Sequence, residues 1–195
     1  MIWDIDNLDA IGGHATTHVG SPKVIETPAG KVVEFDGKGD AFFIDTQPLA
    51  GWHTFTVEVV FCPYADGLTE QRFFHMQEDD SENRVLFETR LTGDGQWFLD
   101  TFIQSEAGDC TLFAEDHKHP IGSWYHAALT ADGETMRHYV DGRLELEAEL
   151  AFAPLAQGRT SLGTRINQVC WYKGAIRQTR FSPQVLSPAE FLSNS

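Results

Sequence analysis

Apolar residues recur at every second position of this chain, in one run after another. In "TFTVEVVF", Phe55, Val57, Val59 and Phe61 share a face. "RVLFETRL" sets Val85, Phe87 and Leu91 against Arg84, Glu88 and Arg90, and "QWFLDTFIQ" sets Trp97, Leu99 and Ile103 against Phe98, Asp100, Phe102 and Gln104. Successive side chains of a strand point to opposite sides, so each run reads as a strand with one face on a core. "LELEAEL" alternates Leu and Ala with Glu and reads as a half-exposed edge strand. Turn signals interrupt the runs at short spacing: Asp36-Gly37, Asp66-Gly67, Gly93-Asp94-Gly95, Asp132-Gly133 and Asp141-Gly142. Short turns join antiparallel neighbours, so the pattern predicts an all-β, two-sheet antiparallel jelly-roll sandwich of roughly a dozen strands. One helix signal stands at the end, where "SPAEFL" offers Ser187 as N-cap, Pro188 at the first helical position and Glu190 to close a capping box. A short C-terminal helix is expected there, covering a sheet end and pinned by Phe191 or Leu192. No repeat or linker divides the chain, so residues 1–195 read as one domain.

The charge narrows the partners. With 29 acidic against 14 basic residues the chain carries a formal −15, and no cluster of Lys and Arg supplies the affinity that nucleic acid or an anionic membrane requires. A neutral, weakly acidic or cationic ligand suits this field better. No run approaches the ~18 apolar residues of a membrane span. The start, "MIWDIDNLDA", lacks a basic region followed by an apolar one, so the sequence as written is expected to be cytoplasmic, or extracellular if a leader was removed. Cys62, Cys110 and Cys170 are odd in number and widely spaced, which is no disulfide framework.

Four segments in order resemble the laminin-G-like jelly roll of the concanavalin A-like lectin/glucanase superfamily. They are "VVEFDGKGDAFFI"; "TFTVEVVFCP"; Trp124-Tyr125-His126-Ala127-Ala128 followed by Asp132-Gly133 and Tyr139-Val140-Asp141-Gly142; and "YKGAIRQTRFSPQVLSPAEF". The resemblance runs from about Val32 to Leu192 and implies a sandwich whose concave sheet recognises glycans. In that frame Trp124 and Tyr139 are expected in the sandwich core near its rim, with Asp141-Gly142 making the tight turn.

Glu88 and Arg90 share a face, as do Phe98, Asp100, Phe102 and Gln104 on what should be the adjoining strand. Rings that stack on a sugar's apolar side, beside planar polar groups that bond its hydroxyls, are the chemistry of saccharide recognition. These six residues, with His126, form the expected ligand-binding set, and the expected function is non-catalytic recognition of a saccharide or polysaccharide. The plain alternative is cross-strand ion pairing on a solvated sheet.

An enzyme in the same groove, a lyase or glycoside hydrolase, is the first rival function. The superfamily's glucanases carry Glu-x-Asp-x-Glu or Glu-x-Asp-x-x-Glu, which is absent here. A fainter resemblance to alginate-lyase-like jelly rolls rests on Glu88, Arg90, Tyr172 and Lys173, but "FIQ" lacks the His of their Gln-Ile-His strand. His126 or His75 would have to take its place. A protein partner docked on a flat sheet or edge is the second rival. His117 and His119, with Asp116 beside them, offer two imidazoles but no third ligand, and read as an exposed loop. A structural calcium ion is the one cofactor the resemblance leaves room for, with Asp36 and Asp40 as its carboxylates. "EDDSEN", Glu78 to Asn83, reads as a solvated acidic loop.

Overall fold

The computed structural model describes residues 1–193. Its strands, in chain order, are β1 (Ile2–Asp4), β2 (Ala10–Ile11), β3 (His14–Val19), β4 (Lys23–Thr27), β5 (Gly30–Asp36), β6 (Ala41–Ile44), β7 (Phe55–Pro63), β8 (Glu70–Glu78), β9 (Arg84–Leu91), β10 (Gln96–Ser105), β11 (Gly108–Phe113), β12 (His119–Pro120), β13 (Tyr125–Ala131), β14 (Thr135–Val140), β15 (Arg143–Glu149), β16 (Gly158–Leu162) and β17 (Lys173–Ser182). They form two antiparallel sheets. The first has the order β15-β14-β13-β7-β17-β5-β4, with β1 also on β17. The second runs β11-β10-β9-β8-β16-β6-β3-β2, with β12 on β10. The sandwich expected from the alternation is therefore present, and "LELEAEL" does lie at an edge, as β15.

The faces that alternation assigned to the core meet between the sheets. Phe55, Val57, Val59 and Phe61 of β7 face Val85, Phe87, Trp97, Leu99 and Ile103 of β9 and β10. Phe61 stacks on Phe73 at 4.3 Å between ring centroids, and Phe73 meets Phe87 edge-on at 5.8 Å. Burial of such rings is the main stabilising term of a sandwich, on the order of 2 kcal/mol for each large side chain.

Bulges break the alternation on three strands, one of them on β17 between Ile176 and Gln178. On β8 the register slips between Arg72 and Phe74, so Phe73 and Phe74 both enter the core while Arg72 stays on the outer face with Glu70. On β15, Tyr139 pairs with Leu144 and His138 with Leu146, which leaves Glu145 as the extra residue. An extra residue of this kind re-aims its side chain. After β16, Gly163 (φ +86°) passes so close to the core that a Cβ there would lie 2.5 Å from the Phe35 ring and 2.8 Å from the Asp40 carbonyl oxygen.

The hairpin of β14 and β15 turns on Asp141 (φ 49°) and Gly142 (φ 75°), both left-handed as a two-residue turn between right-twisted strands requires. Its large rings are placed differently from expectation. Tyr125, not Trp124, faces the core; Tyr139 lies on the outer side of the first sheet, and Trp124 is half-buried outside the core with the Arg177 guanidinium 5.9 Å from its ring.

The C-terminal helix is a single 3-10 turn, Pro188–Glu190. The Ser187 N–H and hydroxyl donate to the Glu190 carboxylate at 2.9 and 2.7 Å. This tail covers the outer face of the first sheet rather than its end. The Thr56 hydroxyl donates to the Gln184 carbonyl (2.8 Å), Leu186 N–H donates to Thr56 (2.9 Å), and Leu192 N–H donates to Glu58 (2.6 Å). Phe191 lies over His126 and Tyr139, with centroids 5.4 and 5.2 Å away.

Candidate functional site

Six of the seven expected site residues come together. Strands β9 and β10 pair so that Phe98 faces Arg90, Asp100 faces Glu88 and Gln104 faces Arg84, all on the outer face of the second sheet along with Phe102. His126 does not join them. It lies on β13 of the other sheet, 2% exposed, with Nε2 2.9 Å from Glu58 and the C-terminal tail above it. Its strand's alternation fixed which side it faces, but not what covers that side.

Arg90 is the hub. Its Nε and Nη2 reach Asp100 at 2.8 and 2.7 Å, Nη1 reaches Glu70 at 2.5 Å, and Nη2 lies 3.1 Å from Glu88. Arg72 contacts Glu70 and lies 3.2 Å from the other oxygen of Glu88. Alternation in β9 and β10 supplied Glu88, Arg90 and Asp100, while Glu70 and Arg72 arrive because the β8 bulge keeps them on this face. The two guanidiniums are thus enclosed by three carboxylates. Side chains of Glu88 and Asp100 are only 5% and 4% exposed, so they form the floor, and Glu70 and Arg90 form the surface. The cross-strand ion pairing weighed as the plain alternative is therefore real, although more buried than a solvated sheet implies.

The rings are also redistributed. Phe98 is 6% exposed because Phe113 of β11 covers it edge-on at 4.8 Å. Phe113 itself is 46% exposed, with the Arg90 guanidinium 5.6 Å from its ring. Phe102 is half-buried under Arg84, whose guanidinium sits 4.6 Å over the ring and donates to Gln104 at 2.8 Å. The open ring is therefore Phe113, which the sequence reading missed; its one signal was the apolar end of a strand otherwise reading "GDCT". On the opposite flank the loop after β16 approaches, with the Cys170 carbonyl accepting from Arg72 N–H at 2.8 Å.

Burial pushes Glu88 up to about 7, with the nearby Asp100 and Glu70 carboxylates adding to it and Arg72 and Arg90 opposing. Between the ordinary carboxylate value, ~4.3, and 7 the folded chain then holds a proton that the unfolded chain has released, so stability falls as pH rises through that window. The expected loss is about 3 kcal/mol between pH 5 and pH 8. In urea unfolding across that range, Glu88→Gln should flatten the slope; an unchanged slope would place the proton elsewhere.

Asp36 and Asp40 are committed to their turn. Asp36 Oδ1 accepts N–H groups of Lys38, Gly39 and Asp40 at 2.8, 3.0 and 3.3 Å, while Asp40 accepts from Ser21 at 2.6 Å and Asp36 at 3.2 Å. Among the described residues no group of three or more His, Cys, Asp or Glu side chains converges as a metal site. His117 and His119 part company: His117 is exposed, and His119 turns to Glu145 at 2.7 Å.

Two antiparallel sheets around one aromatic core, with one outer face covered by the tail, define a jelly-roll sandwich. The chain belongs to the concanavalin A-like lectin/glucanases superfamily, whose laminin-G-type model matches residues 36–191. Among solved structures it is similar to domain 4 of AbnA, an extracellular arabinanase of Geobacillus stearothermophilus in complex with arabinotriose. That pair has 17% identity and a TM-score of 0.73, covering 97% of this chain and 94% of that one. It is also similar to a heptameric SAP-like pentraxin from Limulus polyphemus (16% identity, TM-score 0.63, 80% of this chain and 76% of that one). A third likeness is the receptor binding domain of botulinum neurotoxin D (14% identity, TM-score 0.70), where 97% of this chain matches 50% of that one. At these identities the likenesses establish the fold. No curated protein matches the sequence.

Proposed function

We propose that this domain is a non-catalytic saccharide-binding module whose ligand lies on the outer face of the second sheet, across Phe113, Arg90, Glu70, Phe102 and Gln104. The observation that carries it is the contrast between the two outer faces. One is covered by the chain's own tail, and the other keeps an exposed ring beside polar groups that are already fixed in place. Such a strip offers a pyranose or furanose a stacking plate and oriented acceptors at little ordering cost. Arg72 and Arg90 are occupied by carboxylates, and the chain carries −15, so a neutral glycan fits better than a polyanion. The arabinotriose held by the AbnA domain supports a neutral sugar as the kind of ligand to try.

One observation favours a second reading, an enzyme on the same strip: Glu88, raised to about 7, holds a proton near neutrality beside Asp100. A general acid must reach its substrate, however, and this side chain is 5% exposed.

Native electrophoresis through gels cast with arabinan, neutral glucans and acidic polysaccharides, stained for protein and for polysaccharide, separates the readings. Retardation without clearing is expected in a neutral gel. Phe113→Ala should weaken it about tenfold, or about 1.4 kcal/mol, with only a modest fall in melting temperature, because the ring is half open and its loss uncovers Phe98 alone. Clearing would establish the enzyme, and free migration in every gel would leave the protein-docking reading in front.

A further inference from the structure

A second polar constellation lies at the seam between the sheets, and it shares no residue with the strip around Phe113. The bulge on β15 leaves Glu145 opposite no partner and turns it inward: its side chain is 4% exposed, against 55% for Glu147 two residues on. Oε1 lies 2.7 Å from His119 Nε2, and Oε2 faces His138 Nε2 at 3.8 Å, too far for a hydrogen bond. His138 in turn holds the Thr101 hydroxyl across the core at 2.9 Å on Nδ1. Burial, with His117 adding, pushes His138 down to about 3, so that ring is neutral. A carboxylate only accepts, so in this pair His119 Nε2 carries a proton and donates it to Glu145. The His119 ring is fixed by its neighbours Trp97 and Tyr125, with centroids 5.0 and 5.5 Å away.

Above Glu145 and His119 opens a cavity of about 300 Å³, lined also by Asp116, Lys118, Arg143 and Leu144. Among the described residues neither the Lys118 nor the Arg143 side chain makes a salt bridge or hydrogen bond, although seven other arginines of this acidic chain do pair with carboxylates. The cavity is at the small end of ligand pockets, ~300–1,000 Å³, which is room for one sugar ring and not a chain. Its chemistry is two-sided: Lys118 and Arg143 attract a negative group, while Asp116 accepts hydroxyl protons and His119 presents its imidazole beside it. Leu144, 47% exposed, offers an apolar edge.

We propose that this seam pocket is a binding site for a small hydroxylated monocarboxylate of the uronic acid class. The carboxylate lies between Lys118 and Arg143, the hydroxyls face Asp116 and His119, and Glu145 is the positioning residue that sets the imidazole.

The test is an amide ¹H–¹⁵N titration with D-galacturonate and D-glucuronate as probes, using D-galactose and acetate as references. A saturable shift at residues 116–119 and 143–145 is expected with at least one uronate, and at least tenfold weaker binding of galactose. Both cations are exposed, so Lys118→Ala/Arg143→Ala should keep the native spectrum while losing the uronate shifts at least tenfold. Equal response to galactose, equal response to acetate, no saturable shift with either uronate, or unchanged binding by the double variant would each overturn the proposal. These shifts are read at the seam, so the result is independent of whether any polysaccharide retards the protein through Phe113.

Discussion

Arg90→Ala is expected to lose about 3–5 kcal/mol of unfolding free energy at pH 8, and to recover a substantial part of that loss at pH 5. The size follows from burial. Asp100 and Glu88 lie almost wholly out of water, and Arg90 is the cation Asp100 contacts on both Nε and Nη2. Removing it strands Asp100 and leaves Arg72 alone against Glu70 and Glu88. The recovery follows from proton binding: burial already pushes both Glu88 and Asp100 upward, and without Arg90 both rise further. At pH 5 the variant then takes up protons that the wild type needs less, and the stranded charge disappears. Urea unfolding followed by tryptophan fluorescence at the two pH values measures it. A loss below about 1 kcal/mol at pH 8 would show that water screens the cluster as it does surface pairs.

The sequence carried the strands and the shared face of Glu88, Arg90, Asp100, Phe98, Phe102 and Gln104, because period-2 alternation is written locally. What it did not carry depends on which segment lies on top of another. Phe98 reads as exposed from its own strand, but Phe113 of β11 covers it. His126 reads as a site residue, but its strand belongs to the other sheet and the tail, folded back from β17, closes over it. What the bulges do was equally hidden. "RLELEAE" looks regular, yet one slipped residue turns Glu145 inward; the Phe73-Phe74 pair of "EQRFFHMQE" does break the alternation, but not in a way that says Arg72 would come to Arg90's face. A bulge is two residues opposite one on the partner strand, so its position is defined by the pairing and not by its own strand alone.

The covered face gives the second large effect. Glu58 is fully buried and accepts from His126 at 2.9 Å, from Arg180 and from the Leu192 N–H at 2.6 Å. It therefore ties three strands of the first sheet, its own β7 with β13 and β17, to the tail. Glu58→Ala leaves Arg180 and His126 without their carboxylate and should cost about 3–4 kcal/mol. It should also speed amide exchange across residues 184–192 more than in the rest of the chain, because the tail loses its anchor while the core between the sheets keeps its own. Burial alone would raise this carboxyl, but hydrogen bonds from His126, Arg180 and Leu192 outweigh it and hold it below the ordinary value. A depressed carboxyl stabilises above its unfolded value, ~4.3, and that contribution is lost as pH falls through the lower folded one. The two outer faces thus act in opposite directions, Glu58 weakening the fold below about pH 4 and Glu88 weakening it towards pH 8. Wild-type stability should peak near pH 5, and Glu58→Ala should lose the acid limb of that profile while keeping the alkaline one. A variant that still loses stability as steeply below pH 4 would mean that other carboxylates, not Glu58, set the acid limit.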